Sequence, residues 1–248
     1  MSRFAHLDPT TPTSPPFLED AQIHVWAFML DEPPVIVTAW RQLLSSDEAL
    51  RADRFVFNRD RDRWIVARGA LRQLLGQYCR KDPRTIAFNV GSWGKPEIAQ
   101  RDATEPPIAF NLAHSHDRAV LAVTREGEVG VDIEFVRDDF DPLPIAREFF
   151  FGAELAAIHA VASEQRREAF FRYWVAKEAV LKAHGTGLSL ALDSFSVTFE
   201  ADALSARVHA HDAAAPVQSL VVRMLPLPRG WHGAVAAHGD AWTLRTVA

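Results

Sequence analysis

Two stretches of helical periodicity, about a hundred residues apart, constrain this chain more than any other feature. RDRDRWIVARGALRQLLGQYC (59–79) brings Trp64, Ala67, Leu71, Leu74, Leu75 and Tyr78 round at near-helical spacing. REAFFRYWVAKEAVLKAHG (167–185) is a second helix of similar length. A strand-like run precedes each, IHVWAFML (23–30) and VGVDIEFV (129–136), and short strands follow each. Aligning Trp64 with Trp174 sets Arg68 against Glu178, Leu71 against Leu181 and Arg72 against Lys182. Identity is weak but the order of elements repeats, as in an old duplication. The prediction is two similar α+β halves, 21–126 and 127–248, joined near TREGE (124–128). Residues 1–20, rich in Pro, Thr and Ser, read as a flexible lead-in. Helices and strands do not alternate regularly enough for a doubly wound sheet, and no GxGxxG or GxxxxGK[ST] loop is present.

In the first half, TAWRQLLSSDEALRADRF predicts two short helices, with Ser46 capping the second and Asp47 and Glu48 in its first turn. Strands follow at IAFNV, PEIA and PIAFNLAHS, and RAVLAVT pairs back on the last as a hairpin. The second half continues with a helix over AREFFFGAELAAIHAV, then strands at DSFSVTFEA, SLVVRMLP, GWHGAVAAH and AWTLRTV. RDDFDPLPIAREFF (137–150), with its prolines and mixed charge, reads as a mobile loop.

Composition narrows the function. No apolar run approaches the ~20 residues that a membrane helix needs, and no basic-then-apolar secretory signal opens the chain. Cys79 is the one cysteine, which excludes an internal disulfide or a cysteine-built zinc site and suits a reduced, cytoplasmic protein. It lies in a helical stretch and reads as a buried thiol. The net charge of −5 argues against general nucleic-acid binding. Residues 51–84 nevertheless hold ten Lys/Arg against four acids, a patch suited to a compact polyanion or, as plainly, to a solvated helix face. Arginine outnumbers lysine 23 to four, so Lys81, Lys95, Lys177 and Lys182 can mark places that need a compact, rotatable ammonium.

In VGVDIEFV, Val131, Ile133 and Phe135 alternate towards a core and leave Asp132 and Glu134 on the other face. By itself this is a strand with a wet face. In WVAKEAVLKAHGTGLSL (174–190), Glu178 and Lys182 stand one helical turn apart among apolar residues, either as a surface pair or at the border of a core. Gly185 ends that helix in a turn that can approach a ligand. Lys177 reads as one half of a surface ion pair. Asp132, Glu134 and Glu178 together offer three oxygen donors and no sulfur, the set that a hard cation such as Mg²⁺ accepts. His114 and His116 share a strand face but lack a third histidine for zinc; one of them suits a phosphate and the other solvent. Lys95, in a Gly-Lys-Pro turn with Pro96, and Arg51 and Arg63 in the basic segment are further candidates for phosphate. No nucleophile is framed for catalysis, Ser115 included. Such a set suits metal-assisted chemistry on a phosphoanhydride.

The motifs GVDIE (130–134) and WVAKEAVLK (174–182), in this order and separation, resemble the two signatures of 4′-phosphopantetheinyl transferases of the larger, monomeric surfactin-synthetase type. GKP (94–96), FNLAHS (110–115), AREFF with Glu154, and GLSLALDSFSV (187–197) also fall where that pattern puts them, so the resemblance runs from about Asp47 to about Val197. It implies a pseudo-dimer of two α+β halves with coenzyme A in the cleft between them. It implies transfer of the phosphopantetheine arm to a serine of an acyl or peptidyl carrier protein, with release of adenosine 3′,5′-bisphosphate. Position by position, Asp132, Glu134 and Glu178 would hold Mg²⁺, and Glu178 or a water it orients would take the serine proton. Lys182 would steady the pyrophosphate. Lys95, Pro96, His114 and Arg51, with Arg63, would bind the nucleotide end. Glu154 matches an acid of the family. Two departures stand out: Ala113 where serine is common, and Glu48 where some relatives have lysine, so that part of the phosphate clamp is absent or rebuilt from Arg54. A coenzyme A-binding module without catalysis and a metal-dependent phosphohydrolase are the alternatives.

Overall fold

Strand β1 (Gln22–Met29) is buried on both faces, because each face is covered by a different core. In the computed structural model, which describes residues 4–11, 15–91, 94–99, 107–185, 190–211 and 217–247, it lies inside a four-stranded sheet of order β11-β1-β5-β4. Trp26 and Phe28 face the long helix α3 (Asn58–Cys79), where they meet Ile65, Leu71, Leu74 and Leu75. Ile23, Val25 and Ala27 face the other way, into a core shared with the second half. Helices α1 (Pro34–Arg41) and α2 (Ser46–Ala52) precede α3; a small hairpin, β2 (Phe88–Val90) with β3 (Pro96–Ile98), follows it. Strands β4 (Ala109–Ser115) and β5 (Arg118–Thr124) form the expected antiparallel hairpin.

The second half repeats the plan. Strand β6 (Val129–Phe135) leads to α4 (Leu143–Phe149), α5 (Gly152–Ala160) and the long α6 (Arg166–His184). Then come β7 (Phe195–Phe199), β8 (Ser205–Ala210), β9 (Leu220–Met224) and β10 (Trp231–His238), in a sheet of order β6-β10-β9-β8-β7. The duplication is visible in the pairing. In each half the first strand lies antiparallel to the last strand of its own half, β1 to β5 and β6 to β10, and the next neighbours are β4 and β9. Helix α6 covers the second sheet through Val175, Ala176, Ala179, Val180 and Ala183.

A third core, between the sheets, joins the halves: Ile23, Val25, Val120 and Ala122 from one, Val129, Val131, Ile133 and Val235 from the other. Strands β4 and β6 are edges of their sheets, so their outward backbone groups need partners. Side chains of β4 supply some of these. Val131 N–H donates to Asn111 Oδ1 at 2.8 Å, and Phe135 N–H to Ser115 Oγ at 3.3 Å.

Several expectations are corrected. AWTLRTV, assigned to the second half, contains β11 (Thr243–Val247), which pairs in parallel with β1 and so completes the first sheet. The lead-in is packed where it is described: Ala5 bridges to Phe28, and Leu7 and Leu18 are buried. The α2 cap is Ser45, whose hydroxyl accepts from Glu48 N–H while Glu48 accepts from Ser45 N–H, a capping box. AREFFFGAELAAIHAV is two helices, interrupted at Phe150 and Phe151 by extended backbone. Segment 137–150 is anchored. Arg167 donates to the carbonyls of Arg137 and Phe140, and the Phe140 ring packs on Phe170 and Phe171. Strand β8 forms at Ser205–Ala210, where no strand is expected from the residue pattern. Cys79 is half-buried at the end of α3.

Candidate functional site

The site is built on the contact of β6 with α6. Gly130 makes that contact possible: a Cβ there would stand 2.0 Å from Ala179 O and 2.2 Å from Ala183 N. With hydrogen in that place the helix lies directly on the strand, and Asp132, two residues along the same face, meets Lys182. The face expected to be wet is therefore covered by α6, and Asp132 is only 4% exposed. Lys182 Nζ donates to Asp132 Oδ1 at 2.5 Å, while Oδ2 is buried without a partner. Burial pushes the Asp132 carboxyl up to about 7; Lys182 opposes this, and Glu134 and Glu178 add to it. Glu178 is raised too, by burial first and then by Glu134, against Lys182. Glu134 Oε2 accepts from Ser115 Oγ at 2.7 Å, so Ser115, set aside as a nucleophile, orients one of the acids.

Beside the acids, Arg51, Arg63, Trp64, His114 and His116 line a cavity of about 480 Å³. Both imidazoles line it and both are exposed; His116 sits in a left-handed turn after β4, against the Phe135 ring. His114 is held below the ordinary histidine value by the protein packed around it and then by the charge of Lys182, with Glu134 opposing. Arg51 lies over the Trp64 ring, 5.7 Å from its centre. Arg63 is engaged elsewhere: it grips Asp31 through Nε and Nη2, at 2.6 and 2.8 Å. Asp31 gave no signal in the sequence, since it comes from the end of β1 and no spacing links it to the helix.

Lys95 and Pro96 line a separate hollow with Phe110, Arg125 and Glu128. The Lys95 ammonium reaches Glu128 at 2.6 Å, and the carbonyls of Val129 at 3.2 Å and Ala183 at 3.5 Å. The candidates thus follow one seam between the halves: Lys95 at the Val129 end of β6, Asp132 and Lys182 in the middle, Glu134 and His114 at the other end. By the strand rise, Val129 to Glu134 spans ~17 Å. The turn after Gly185, whose left-handed backbone caps α6, continues into residues 186–189, which lie outside the described residues, as do Ser92 and Trp93 before the Gly-Lys-Pro turn.

Lys177 is not at the surface. It and Glu154 are 0% and 1% exposed, and its ammonium donates to both Glu154 oxygens and to Phe195 O. Glu154 also accepts from the Phe151 and Val197 backbones, tying α5, α6 and β7 together next to Glu178. Ala113 is buried in the core between the sheets, on the opposite face of β4 from His114, so a serine there would not face the cavity. Glu48, rather than leaving a gap, binds Arg68 and Arg72. Arg54 opens on a neighbouring bowl that shares Arg51 and Phe55 with the cavity.

Among the described residues no three His, Cys, Asp or Glu side chains converge as a ready metal cluster. The donor set nevertheless fits a hard cation. Asp132 has a buried oxygen with no partner, and the neighbouring Glu134 charge adds to the raised pKa of both Asp132 and Glu178, a strain that a divalent ion would relieve. Lys182 is the positive charge that answers Asp132 in this structure.

Three acids about an ammonium, beside a cavity lined by arginine and histidine, define a protein suited to a phosphorylated ligand. Comparison with known proteins is more specific. The family model described as the 4′-phosphopantetheinyl transferase superfamily matches residues 128–236, and that described as 4′-phosphopantetheinyl transferase, N-terminal, matches 35–126. The 4′-phosphopantetheinyl transferase HetI of Nostoc sp. is 39% identical over 168 residues, 68% of this chain and 70% of that one. Sfp of Bacillus subtilis is 30% identical over 159 residues, 64% and 68% of the two chains, and AcpT of Escherichia coli K12 is 38% identical over 125, 50% and 58%. The chain belongs to the 4′-phosphopantetheinyl transferase superfamily. No helix among the described residues is long and apolar enough to cross a membrane.

Proposed function

We propose that this protein transfers the 4′-phosphopantetheine arm of coenzyme A to a serine of an apo acyl or peptidyl carrier protein, with Mg²⁺, and releases adenosine 3′,5′-bisphosphate. The observation that carries this reading is the buried, partnerless Asp132 Oδ2 among Glu134, Glu178 and Lys182, at the middle of a seam that ends in cationic side chains. Asp132, Glu134 and Glu178 would hold the Mg²⁺, which when bound neutralises the pyrophosphate and the charge that develops on its leaving oxygen.

The chain's own groups do the rest. Lys182 donates to the pyrophosphate and moves off Asp132 to do so. Arg51 and His114 hold the phosphates of the nucleotide end, where the cavity lies. Lys95 and Pro96 flank the seam at Val129 and Ala183. Arg63 supports that wall through Asp31. Glu178, whose raised pKa makes it a better base than a free carboxylate, takes the proton of the carrier serine. The serine oxygen bonds to the phosphorus that bears the pantetheine arm; the bond from that phosphorus to the bridging oxygen breaks; and the electron pair leaves with adenosine 3′,5′-bisphosphate. Because one chain supplies both halves of the cleft, a monomer suffices.

The test is to incubate the protein with coenzyme A, Mg²⁺ and apo carriers of the fatty-acid, polyketide and peptide type, and to weigh each carrier. A gain of one phosphopantetheine is expected on at least one. Coenzyme A consumed with no carrier present would make the protein a phosphohydrolase, and coenzyme A bound but untouched would make it a binding module.

A further inference from the structure

Helix α2 carries Arg51, yet it has almost no apolar hold on the protein. Of its seven residues only Ala52 is buried, and Leu50 is exposed. What fastens it is Glu48. Its side chain is 11% exposed and accepts from Arg68 Nε through Oε1 and from Arg72 Nε through Oε2, each at 2.5 Å. Oε2 also accepts from Ser45 N–H at 2.9 Å. Both arginines belong to α3 and are themselves fixed. Arg72, 3% exposed, donates to the carbonyls of Pro83 and Ile86, and the Arg68 guanidinium lies 4.0 Å from the centre of the Phe88 ring. A carboxylate held by two immobile guanidiniums fixes both distance and direction.

Arg51 follows Glu48 by three residues and so shares its helix face. From there it reaches across Trp64 of α3 into the cavity that His114 lines. Burial and the charges of Arg72 and Arg51 disfavour the Arg68 cation, and Glu48 is the anion that offsets them. Without it, three guanidiniums would crowd one corner and α2 would have no fixed seat.

We infer that Glu48 is a positioning residue that seats α2 on α3, so that the Arg51 guanidinium meets a phosphate monoester at the nucleotide end of the ligand. This rests on the reading of the cavity as the nucleotide site, and it assigns to Glu48 the discrimination between coenzyme A and dephospho-coenzyme A, which lacks that monoester. The position where some relatives have lysine is then neither a gap in the clamp nor a contact to ligand; it is the mount of the clamp.

Glu48→Gln, Glu48→Asp, Arg51→Ala and the double variant Glu48→Gln/Arg51→Ala are compared with the parent protein. Calorimetry gives Kd and carrier modification gives kcat and KM, each with coenzyme A and with dephospho-coenzyme A; circular dichroism confirms the fold. Loss of one charged contact predicts that Glu48→Gln raises Kd and KM for coenzyme A about tenfold. It should leave both values for dephospho-coenzyme A, and kcat, unchanged. The double variant should be no worse than Arg51→Ala, because both substitutions remove the same contact. Glu48→Asp, which keeps the charge and folds even if the Gln variant does not, should lose part of the discrimination. Equal weakening of both ligands, a fall in kcat alone, additive effects, or a Glu48→Asp protein that discriminates as the parent does would overturn the inference. Absence of transfer with discrimination intact in calorimetry would instead count against the proposed reaction, and a parent protein that does not tell the two ligands apart refutes the inference directly.

Discussion

Gly130→Ala is the sharpest probe of how the site is built. The added methyl carbon would lie 2.0 Å from Ala179 O, 2.2 Å from Ala183 N and 2.8 Å from Ala183 Cα. All three are backbone atoms of α6, so no side chain can turn aside; the helix itself must retreat by about 1.4 Å to restore ordinary contact. Overpacking of a core costs ~1–3 kcal/mol when side chains can adjust, so a loss of about 3 kcal/mol is expected here. The retreat also opens the 2.5 Å contact between Lys182 and Asp132 and draws Glu178 away from Glu134. A displacement of about 1 Å at reacting groups lowers rate on the order of a hundredfold. Urea unfolding and the rate of carrier modification measure the two effects. Gly152→Ala serves as control: it opens α5, a methyl there would meet nothing within 4 Å, and a neutral or slightly stabilising effect is expected. If Gly130→Ala matches the parent protein in both urea midpoint and rate, helix α6 does not lie on the strand as described and the account of the site fails.

Asp132→Asn should lower transfer by about a hundredfold or more while leaving the melting temperature at pH 8 unchanged or higher, because it removes a buried carboxylate whose ionised form is costly; a melting temperature well below the parent's would refute this. His24, buried against Tyr78 and Gln22, is held down to about 4 by burial and then by Arg245. The folded protein resists taking that proton, so the contribution of His24 is present above the unfolded value near 6.5 and is lost as pH falls through 4; it amounts to about 3 kcal/mol. Urea titrations between pH 4 and 7 should show stability rising with pH in the parent and rising less in His24→Gln; equal slopes count against it. Lys177→Met strands the Glu154 carboxylate in the core and should cost ~3–5 kcal/mol, with partial recovery in the double variant Lys177→Met/Glu154→Gln; a loss below about 1 kcal/mol would mean that the pair is not buried as described.

The amino-acid order determined the elements and the chemistry on them. Periodicity marks α3 and α6, an apolar run marks β1 and alternation marks β6, and the repetition of that order implies two like halves. These are local properties, set within a few residues by side-chain spacing. It also placed two acids on one face of β6 and an acid and an ammonium on one face of α6, and a preference for arginine made the few lysines conspicuous. Of those, Lys95 and Lys177 each sit among three oxygen acceptors, which an ammonium can satisfy and a flat fork cannot.

Only the tertiary structure decided what those groups meet. Asp31 claims Arg63, Glu48 gathers Arg68 and Arg72, Glu154 takes Lys177 into the core, and β11 crosses to the first sheet. Each partner is distant in sequence, and a charge pattern alone does not distinguish a buried pair from a solvated one. The face of β6 that alternation marks as wet is covered as far as Asp132, because alternation reports which side chains share a face but not what covers it. What covers it is α6, brought onto the strand by the missing side chain of Gly130; that contact puts Asp132 out of water and beside Lys182.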